Sequence, residues 1–312
     1  MMTTTTEVQP GGGAAVPRLL WLDLTRKCQL HCVHCYNASG PDGSHGAMTR
    51  EDWISVLDQA AATGMTHVQF IGGEPTMHPD FPALLDHALA LGLWSEVFSN
   101  LVHVPDMCWD LLQRQGVTLA TSYYSDHAGE HDAMTGRRSH TRTRANIAKA
   151  VSLGIPLRAG VIVGGSAQRV AEARRDLESL GVTRIGVDHV RRFGRGAQDE
   201  APEAASLCGR CGSGRASVGP TGDVAPCVFS GWMSAGNIRD TALADILDGA
   251  AMAEANRFIR GAVGRGDCGP DQEPSCYPDN APCQPDQNPI VPCGPDQECT
   301  PGFPSDPCGL YR

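Results

Sequence analysis

Over the first 190 residues, two kinds of segment with different patterns of hydrophobic and polar positions alternate. Short apolar runs of strand length, such as residues 19–25 and 67–73, are followed by longer segments in which apolar residues recur with helical spacing. Capping residues mark the helices: Thr49 predicts the start of a helix that runs through Ala62 and stops at Gly64. The pattern predicts strands that alternate with helices.

The alternation continues through six predicted rounds. The strands are predicted at residues 19–25, 67–73, 94–100, 117–124, 156–163 and 183–190, and the helices at residues 49–62, 80–91, 105–115, 142–153 and 168–180. Strands separated by helices of this length indicate parallel βα units. The predicted fold class is therefore α/β. Six units favour a partial, TIM-like (βα)6 barrel over a doubly wound sheet, although periodicity alone does not separate the two.

The pattern changes after residue 190. Residues 193–206 are rich in glycine, alanine and acidic residues and predict a linker, residues 219–228 predict a small hairpin, and residues 240–259 predict a helix. Residues 264–312 hold 11 of the 22 prolines and almost no aliphatic residues. Such a segment cannot bury enough apolar surface to fold by itself, so we expect little regular structure unless a metal or cross-link orders it.

Composition excludes several classes of protein. The 312 residues suffice for a sizeable core, and 25 basic against 35 acidic side chains give a net charge of −10, which argues against nucleic-acid partners. Residues 1–17 lack the basic and apolar regions of a signal peptide and predict a disordered lead-in. No apolar run approaches the roughly 18 residues of a membrane span. We therefore expect a cytoplasmic protein without membrane partners.

The 13 cysteines are many for a chain without an export signal, and their odd number favours metal ligation over disulfides. They fall into groups near the start, after residue 200 and in the proline-rich tail, whereas Cys108 stands alone among apolar neighbours and predicts a core position. The tail repeats Cys-x-Pro-Asp four times, and its cysteines are Cys268, Cys276, Cys283, Cys293, Cys299 and Cys308.

The first group, Cys28-x3-Cys32-x2-Cys35, directly follows the first predicted strand. Spacings this short let one loop hold an iron–sulfur cluster, and three thiolates leave one iron of a cubane open to an external ligand. A zinc site with His31 or His34 as fourth ligand is an alternative that the spacing leaves open. A buried helix face has the same spacing, but polar residues between the cysteines argue against it.

The turn Gly72-Gly73-Glu74-Pro75 ends the second predicted strand. Two glycines let the backbone approach a ligand closely, and a carboxylate beside them can receive an ammonium group. An ordinary strand-to-helix turn is the alternative, since Glu74 is also favoured near a helix start. Because parallel barrels place their sites at the carboxyl ends of strands, this turn and the three cysteines are expected at one edge.

Together these two motifs resemble the radical S-adenosylmethionine (radical SAM) superfamily, with His34 standing where an aromatic residue is common. The resemblance implies a [4Fe–4S] cluster on Cys28, Cys32 and Cys35, whose open iron binds the amine and carboxylate of S-adenosylmethionine. It implies reductive cleavage to a 5′-deoxyadenosyl radical that abstracts a substrate hydrogen. An electron donor such as flavodoxin or ferredoxin is the expected partner.

The same resemblance implies further contacts to S-adenosylmethionine. Asn100 is expected at the ribose, Ser122 and Arg137 at the methionine carboxylate, and Ile162 at the adenine, although Ala167 replaces a glutamate common there. Serine and asparagine at strand ends also serve as turn residues, which is the alternative. The full set of expected contacts is Gly72, Gly73, Glu74, Asn100, Ser122, Arg137 and Ile162.

The spacing Cys208-x2-Cys211-x15-Cys227 resembles the opening of the SPASM domain, which carries auxiliary iron–sulfur clusters. The compact C-x2-C-x5-C-x3-C run of that domain is missing, and the Cys-x-Pro-Asp repeats replace it. One or two auxiliary [4Fe–4S] clusters are expected, held by these three cysteines and by the six of the tail. A structural zinc at Cys208 and Cys211 is the alternative. Nine cysteines exceed the eight that two clusters need, so one could donate hydrogen.

The expected organisation is a lead-in (residues 1–17), a radical SAM partial barrel (18–195), a SPASM-like region (196–263) and a tail that wraps auxiliary clusters (264–312). The resemblance implies modification of a ribosomally made peptide, by cross-linking or epimerisation, in natural-product biosynthesis, although no separate leader-recognition domain is expected. One alternative is a radical epimerase or dehydrogenase acting on a small molecule such as an amino sugar. Another is a non-catalytic iron–sulfur or zinc protein, which would not need the Gly-Gly-Glu turn.

Overall fold

The computed structural model describes residues 18–209 and 211–263. Their strands are β1 (Leu19–Asp23), β2 (His67–Ile71), β3 (Trp94–Phe98), β4 (Val117–Tyr123), β5 (Leu157–Val163), β6 (Arg184–His189), β7 (Arg215–Val218), β8 (Asp223–Ala225) and β9 (Gly236–Asn237). Their helices are α1 (Arg50–Ala62), α2 (Phe81–Ala90), α3 (Asp106–Leu112), α4 (Ala128–Thr135), α5 (His140–Ser152), α6 (Val170–Ser179), α7 (Leu243–Leu247) and α8 (Ala250–Ala262). The predictions for the lead-in and for the six tail cysteines lie outside the described residues.

The strands of the described residues form one sheet in the order β6-β5-β4-β3-β2-β1-β7-β8-β9. Strands β1 to β6 pair in parallel, each with its neighbour in the chain. A doubly wound sheet would reverse the order of its parallel strands at the middle, whereas the order of β1 to β6 runs in one direction. The predicted α/β class and the six TIM-like βα units are therefore confirmed.

Helix α1 begins as its sequence predicts. The hydroxyl of Thr49 accepts a hydrogen bond from Asp52 N (3.2 Å), and the carboxylate of Asp52 accepts one from Thr49 N (2.9 Å). This reciprocal capping box satisfies two backbone N–H groups that the helix itself leaves without partners. Gly64 follows the helix with a φ of 76°, a left-handed conformation that suits glycine.

Four features differ from the sequence predictions. Helix α4 was not predicted, and the helix predicted at residues 240–259 is divided into α7 and α8 at Gly249. The predicted linker contains two short 3₁₀ turns, Gly194–Ala197 and Ala204–Ser206. The predicted hairpin is present as β7 and β8, but β7 also pairs in parallel with β1 and so extends the barrel sheet.

The main hydrophobic core lies between the parallel strands and the helices that follow them. Trp53 of α1, Phe70 of β2 and Phe81 of α2 are fully buried there, and Cys108 of α3 belongs to the same core, as predicted. None of the helices in the described ranges combines the length and apolar character that crossing a bilayer requires.

A buried ion pair links three strands. Arg158 of β5 donates from Nε to Glu96 Oε2 (2.6 Å) and from Nη2 to Glu96 Oε1 (2.7 Å), and Gln69 of β2 donates to the same Oε1 (2.6 Å). Both Arg158 and Glu96 are buried. A bidentate pair of this kind fixes the relative positions of β2, β3 and β5.

Replacing Glu96 with glutamine is expected to destabilise the protein by about 3 kcal/mol, because the buried guanidinium loses the negative partner of both its nitrogens. Chemical denaturation of the metal-free protein measures this free energy of unfolding. The matched control is Glu178→Gln, which breaks the exposed pair with Arg174 on α6 and should change stability by about 0.5 kcal/mol or less. Equal effects of the two substitutions would contradict the role given to Glu96.

Candidate active site

A cavity of about 230 Å³ opens at the carboxyl ends of the parallel strands. Eight of the residues expected from the sequence meet there. The predicted residues that line this cavity are Cys28, Cys32, Cys35, Gly72, Gly73, Asn100, Ser122 and Ile162. The site is therefore assembled from the ends of β1 to β5, which agrees with the general placement of sites in parallel barrels.

The three cysteines lie on one loop after β1, called here the cysteine loop (residues 28–40). The loop closes on itself, since Cys28 N donates to Gly40 O (3.0 Å). Leu30 N and the side-chain amide of Asn100 both donate toward Cys28 Sγ, at 3.4 and 3.5 Å. Burial raises the pKa of Cys28 and of Cys32 to about 12. Bare thiolates are thus unfavourable here, whereas hydrogen-bond donors around the sulfur suit a metal-bound thiolate.

This donor set, three thiolates on one short loop, fits a cubane cluster. Among residues 18–209 and 211–263, no three His, Cys, Asp or Glu side chains converge as ligands of one metal ion. A cubane does not need such convergence, because each of its thiolates binds a different iron atom. Of the two histidines considered for zinc, His31 is exposed, and His34 Nε2 lies 3.2 Å from the hydroxyl of Tyr124.

The glycines after β2 let that turn rest on residues 25–27, which directly precede the cysteine loop. Gly72 has a φ of 148°, and a Cβ there would lie 2.8 Å from Thr25 O. A Cβ on Gly73 would overlap Lys27 O. Gly73 N donates to Thr25 O (2.6 Å) and Glu74 N donates to Lys27 O (2.9 Å), so the two segments form a small ladder. Larger residues would separate the turn from the loop.

Glu74 is fully buried and does not line the cavity. Its Oε1 accepts hydrogen bonds from Thr76 N (3.2 Å) and Thr76 Oγ1 (2.7 Å), and its Oε2 accepts one from Asn100 N (2.9 Å). Burial raises the pKa of Glu74, while these hydrogen bonds lower it. The carboxylate therefore fastens the end of β3 to the turn after β2, and its placement does not support the expected contact with an amine.

Arg137 also lies outside the cavity. It is exposed and follows Gly136, which ends α4 in a left-handed conformation with a φ of 70°. The neighbouring Asp132 accepts hydrogen bonds from Ser139 N (2.8 Å) and His140 N (2.9 Å), so it caps the start of α5. The expected contact between Arg137 and a carboxylate is not supported by this position.

Two polar cavity residues, Tyr124 and His131, were not proposed from the sequence, and His34 was proposed there only as an alternative zinc ligand. His34 and Tyr124 meet edge to face at 5.0 Å between ring centroids, and His131 of α4 meets Tyr124 at 5.2 Å. Burial lowers the pKa of both His34 and His131 to about 4, so both are neutral at pH 7. No pattern in the sequence indicates His131 as a site residue, because α4 has no apolar periodicity.

Cys211 and Cys227 lie next to the cavity wall. Cys211 Sγ and Cys227 Sγ are 3.3 Å apart, and both residues are buried. They share a small hydrophobic cluster with Phe229, which itself lines the cavity. Tyr36 of the cysteine loop packs edge to face on Phe229 with ring centroids 5.2 Å apart. One aromatic wall thus connects the two cysteine groups.

Two family models match the sequence of this chain. The model of the radical SAM superfamily matches residues 22–180, about half of the chain. The chain belongs to the radical SAM superfamily. A second model, that of the SPASM iron–sulfur cluster-binding domain, matches residues 208–279 and so extends into the tail to include Cys268 and Cys276. The cofactors of this radical SAM protein are accordingly S-adenosylmethionine, a [4Fe–4S] cluster and auxiliary iron–sulfur in the SPASM part.

Curated relatives of this radical SAM protein include PqqA peptide cyclases. That of Xanthomonas campestris pv. campestris strain B100 is 31% identical over 188 residues, which are 59% of this chain and 50% of the relative. That of Streptomyces rochei is 30% identical over 204 residues, which are 64% and 55% of the two chains. The chain therefore spans about half the length of the curated relatives it matches.

Solved structures show the same fold. Streptococcus suis SuiB bound to its precursor peptide SuiA superposes with a TM-score of 0.66 at 17% identity, over 78% of this chain and 66% of SuiB. Native anSMEcpe with bound AdoMet and Cp18Cys peptide gives a TM-score of 0.62 at 14% identity, over 80% of this chain and 84% of anSMEcpe. At such identities the likeness concerns the fold, and it agrees with the predicted partial barrel.

Proposed function

We propose that this radical SAM protein is an enzyme that modifies a ribosomally made peptide in natural-product biosynthesis. One observation of the site carries the proposal: a single cavity is lined by Cys28, Cys32 and Cys35 and also by Phe229, beside Cys227. Relatives named PqqA peptide cyclase and a similar fold crystallised with a precursor peptide support a peptide as the substrate. A reduced flavodoxin or ferredoxin is the proposed electron donor, and cytoplasmic location stays a prediction from the sequence.

The chain's own residues have distinct parts in this proposal. Cys28, Cys32 and Cys35 would hold the cluster, while the turn at Gly72 and Gly73 and the strand-end residues Asn100, Ser122 and Ile162 would position the nucleotide. When bound, these cofactors supply the radical that takes a hydrogen atom from the substrate. The apolar side chains of the cavity exclude water, which protects such a radical from side reactions. Three of these side chains are Trp21, Ile71 and Phe98.

The described cavity favours a net oxidation over epimerisation. A new carbon–carbon or thioether bond requires that the substrate lose an electron and a proton after hydrogen abstraction, and an auxiliary cluster on Cys211 and Cys227 would supply the acceptor for that electron. Epimerisation instead requires a donor that returns a hydrogen atom. Among the described residues, the cysteines that line the cavity are the three proposed cluster ligands. No other described cysteine lines the cavity, so none is placed to return a hydrogen atom.

Anaerobic reconstitution with iron and sulfide, followed by dithionite and S-adenosylmethionine, should yield 5′-deoxyadenosine. Adding the peptide encoded by a short neighbouring reading frame should give a product that has lost two hydrogen atoms, measured by mass spectrometry. Absence of 5′-deoxyadenosine would contradict radical chemistry altogether. An unchanged peptide mass with an inverted residue would favour epimerisation, and turnover of an amino sugar instead of any peptide would contradict the proposed substrate.

A further inference from the structure

Arg195 reaches the cysteine loop with both its backbone and its side chain. Its backbone N donates to Cys35 O (2.9 Å), its Nε donates to Cys32 O (2.7 Å), and its Nη2 donates to Ser39 O (2.6 Å). These three bonds join the loop to a segment more than 150 residues later in the chain. We call residues 194–196, Gly-Arg-Gly, the clamp segment.

The clamp segment lies so close to the cysteine loop that it requires glycine at both of its ends. Gly194 has a φ of 52°, and a Cβ there would overlap Cys35 O and Tyr36 O. A Cβ on Gly196 would lie 3.2 Å from His34 O and would overlap Arg191 O. The backbone of the clamp segment therefore rests directly on the cysteine loop, and a side chain at either glycine would push it away.

The charge of Arg195 is directed at the same loop. Within the described residues, its guanidinium donates to two backbone carbonyls and makes no ion pair with a carboxylate. Its positive charge is therefore held against the backbone of the cysteine loop, where the guanidinium contacts the carbonyl oxygens of Cys32 and Ser39.

We propose that Arg195 is a positioning residue that fixes the cysteine loop and raises the reduction potential of the cluster bound there. The proposal rests on the proposed function, since it assumes a cluster on Cys28, Cys32 and Cys35. Reduction adds one negative charge to the cluster, and a half-buried cation beside its ligand loop stabilises the reduced state. Without this cation, electron entry and cleavage of S-adenosylmethionine become less favourable.

Three variants separate the two roles of Arg195. Arg195→Gln removes the charge and the fork of donors, whereas Arg195→Lys keeps the charge but cannot bridge Cys32 O and Ser39 O in the same way. Arg192→Gln is the matched control, because Arg192 lies three residues before Arg195 but is exposed and pairs with Glu200. Each variant is compared with the wild-type chain by hydrogen exchange of the metal-free protein and by an EPR-monitored redox titration of the reconstituted protein.

For Arg195→Gln we expect amide exchange in the cysteine loop to quicken about tenfold, as for loss of a charge-assisted hydrogen bond, and the midpoint potential to become more negative. For Arg195→Lys we expect the same faster amide exchange in the cysteine loop, but a midpoint potential near that of the wild type. Arg192→Gln should change neither quantity. Unchanged exchange and potential in Arg195→Gln would overturn the proposal.

The two readouts also keep this proposal distinct from the proposed function. If the wild-type chain binds no cluster, the proposed function fails, whereas hydrogen exchange of the metal-free variants still tests the clamp. If Arg195→Lys lowers the potential as much as Arg195→Gln, the charge of Arg195 does not set the potential, and that part of the proposal is wrong.

Discussion

Cys28→Ala is expected to abolish cleavage of S-adenosylmethionine, with formation of 5′-deoxyadenosine falling by more than roughly 100-fold. Even loss of an outer contact to a metal ligand typically costs 10- to 100-fold, and this substitution removes a proposed ligand itself. The Cys28 sulfur is buried, lines the cavity and receives donors from Leu30 N and Asn100 Nδ2, so alanine leaves those donors without an acceptor. Liquid chromatography of anaerobic, dithionite-reduced reactions measures the nucleoside.

Cys108→Ala is the matched control for this prediction. It removes the same sulfur atom from a residue that is 1% exposed, but Cys108 lies on α3 in the main core and does not line the cavity. We expect full iron content and full cleavage, with a loss of about 1 kcal/mol in stability from the small cavity left behind. Cleavage that survives in Cys28→Ala, or disappears in Cys108→Ala, would contradict the assignment of the first cluster.

The barrel could be predicted from the sequence because its elements are defined locally. Short apolar runs of strand length, helices with apolar stripes, and caps such as Thr49 and Gly64 mark the βα units without reference to the rest of the chain. Helix α4 lacks such marks. Its buried residues are the polar His131 and Thr135, and burial of these side chains depends on the cavity that they face.

Contacts between distant segments account for what the sequence could not reveal. The turn at residues 219–222 predicts a hairpin, but the parallel pairing of β7 with β1 brings together strands nearly 200 residues apart. Glycine-rich composition predicted a linker around Gly194 and Gly196, whereas the structure shows that these glycines permit close packing on the cysteine loop. Composition indicates where a chain can bend, but it does not indicate what the chain approaches.

The candidate site shows the same limit at the level of single side chains. A Gly-Gly-Glu turn after a strand predicts a ligand-binding edge, and both glycines do line the cavity. The carboxylate of Glu74, however, is occupied by Thr76 and by the backbone of Asn100 at the end of the next strand. Sequence spacing cannot separate a carboxylate that meets a ligand from one that joins two strands, because both stand at the same position of the motif.

Cys227→Ala is expected to lower the iron content and to abolish product formation, while some cleavage of S-adenosylmethionine continues without coupling to product. Cys227 is 2% exposed, lies 3.3 Å from Cys211 in sulfur–sulfur distance, and is separated by one residue from the cavity-lining Phe229. Its loss removes a proposed ligand of the auxiliary cluster but none of the first. The substrate radical would then lack its electron acceptor, although the first cluster would still form 5′-deoxyadenosine.

Cys227→Ser separates loss of the ligand from loss of packing. Serine nearly preserves the volume of the side chain and leaves the backbone bond from Cys227 N to Ser230 Oγ (2.9 Å) intact, but it is a poor ligand for iron. Equal losses of iron and product in the serine and alanine variants would therefore assign the effect to the thiolate. Full iron content with full product formation in Cys227→Ala would instead show that no auxiliary cluster depends on this cysteine, and the acceptor for the oxidation would have to lie elsewhere.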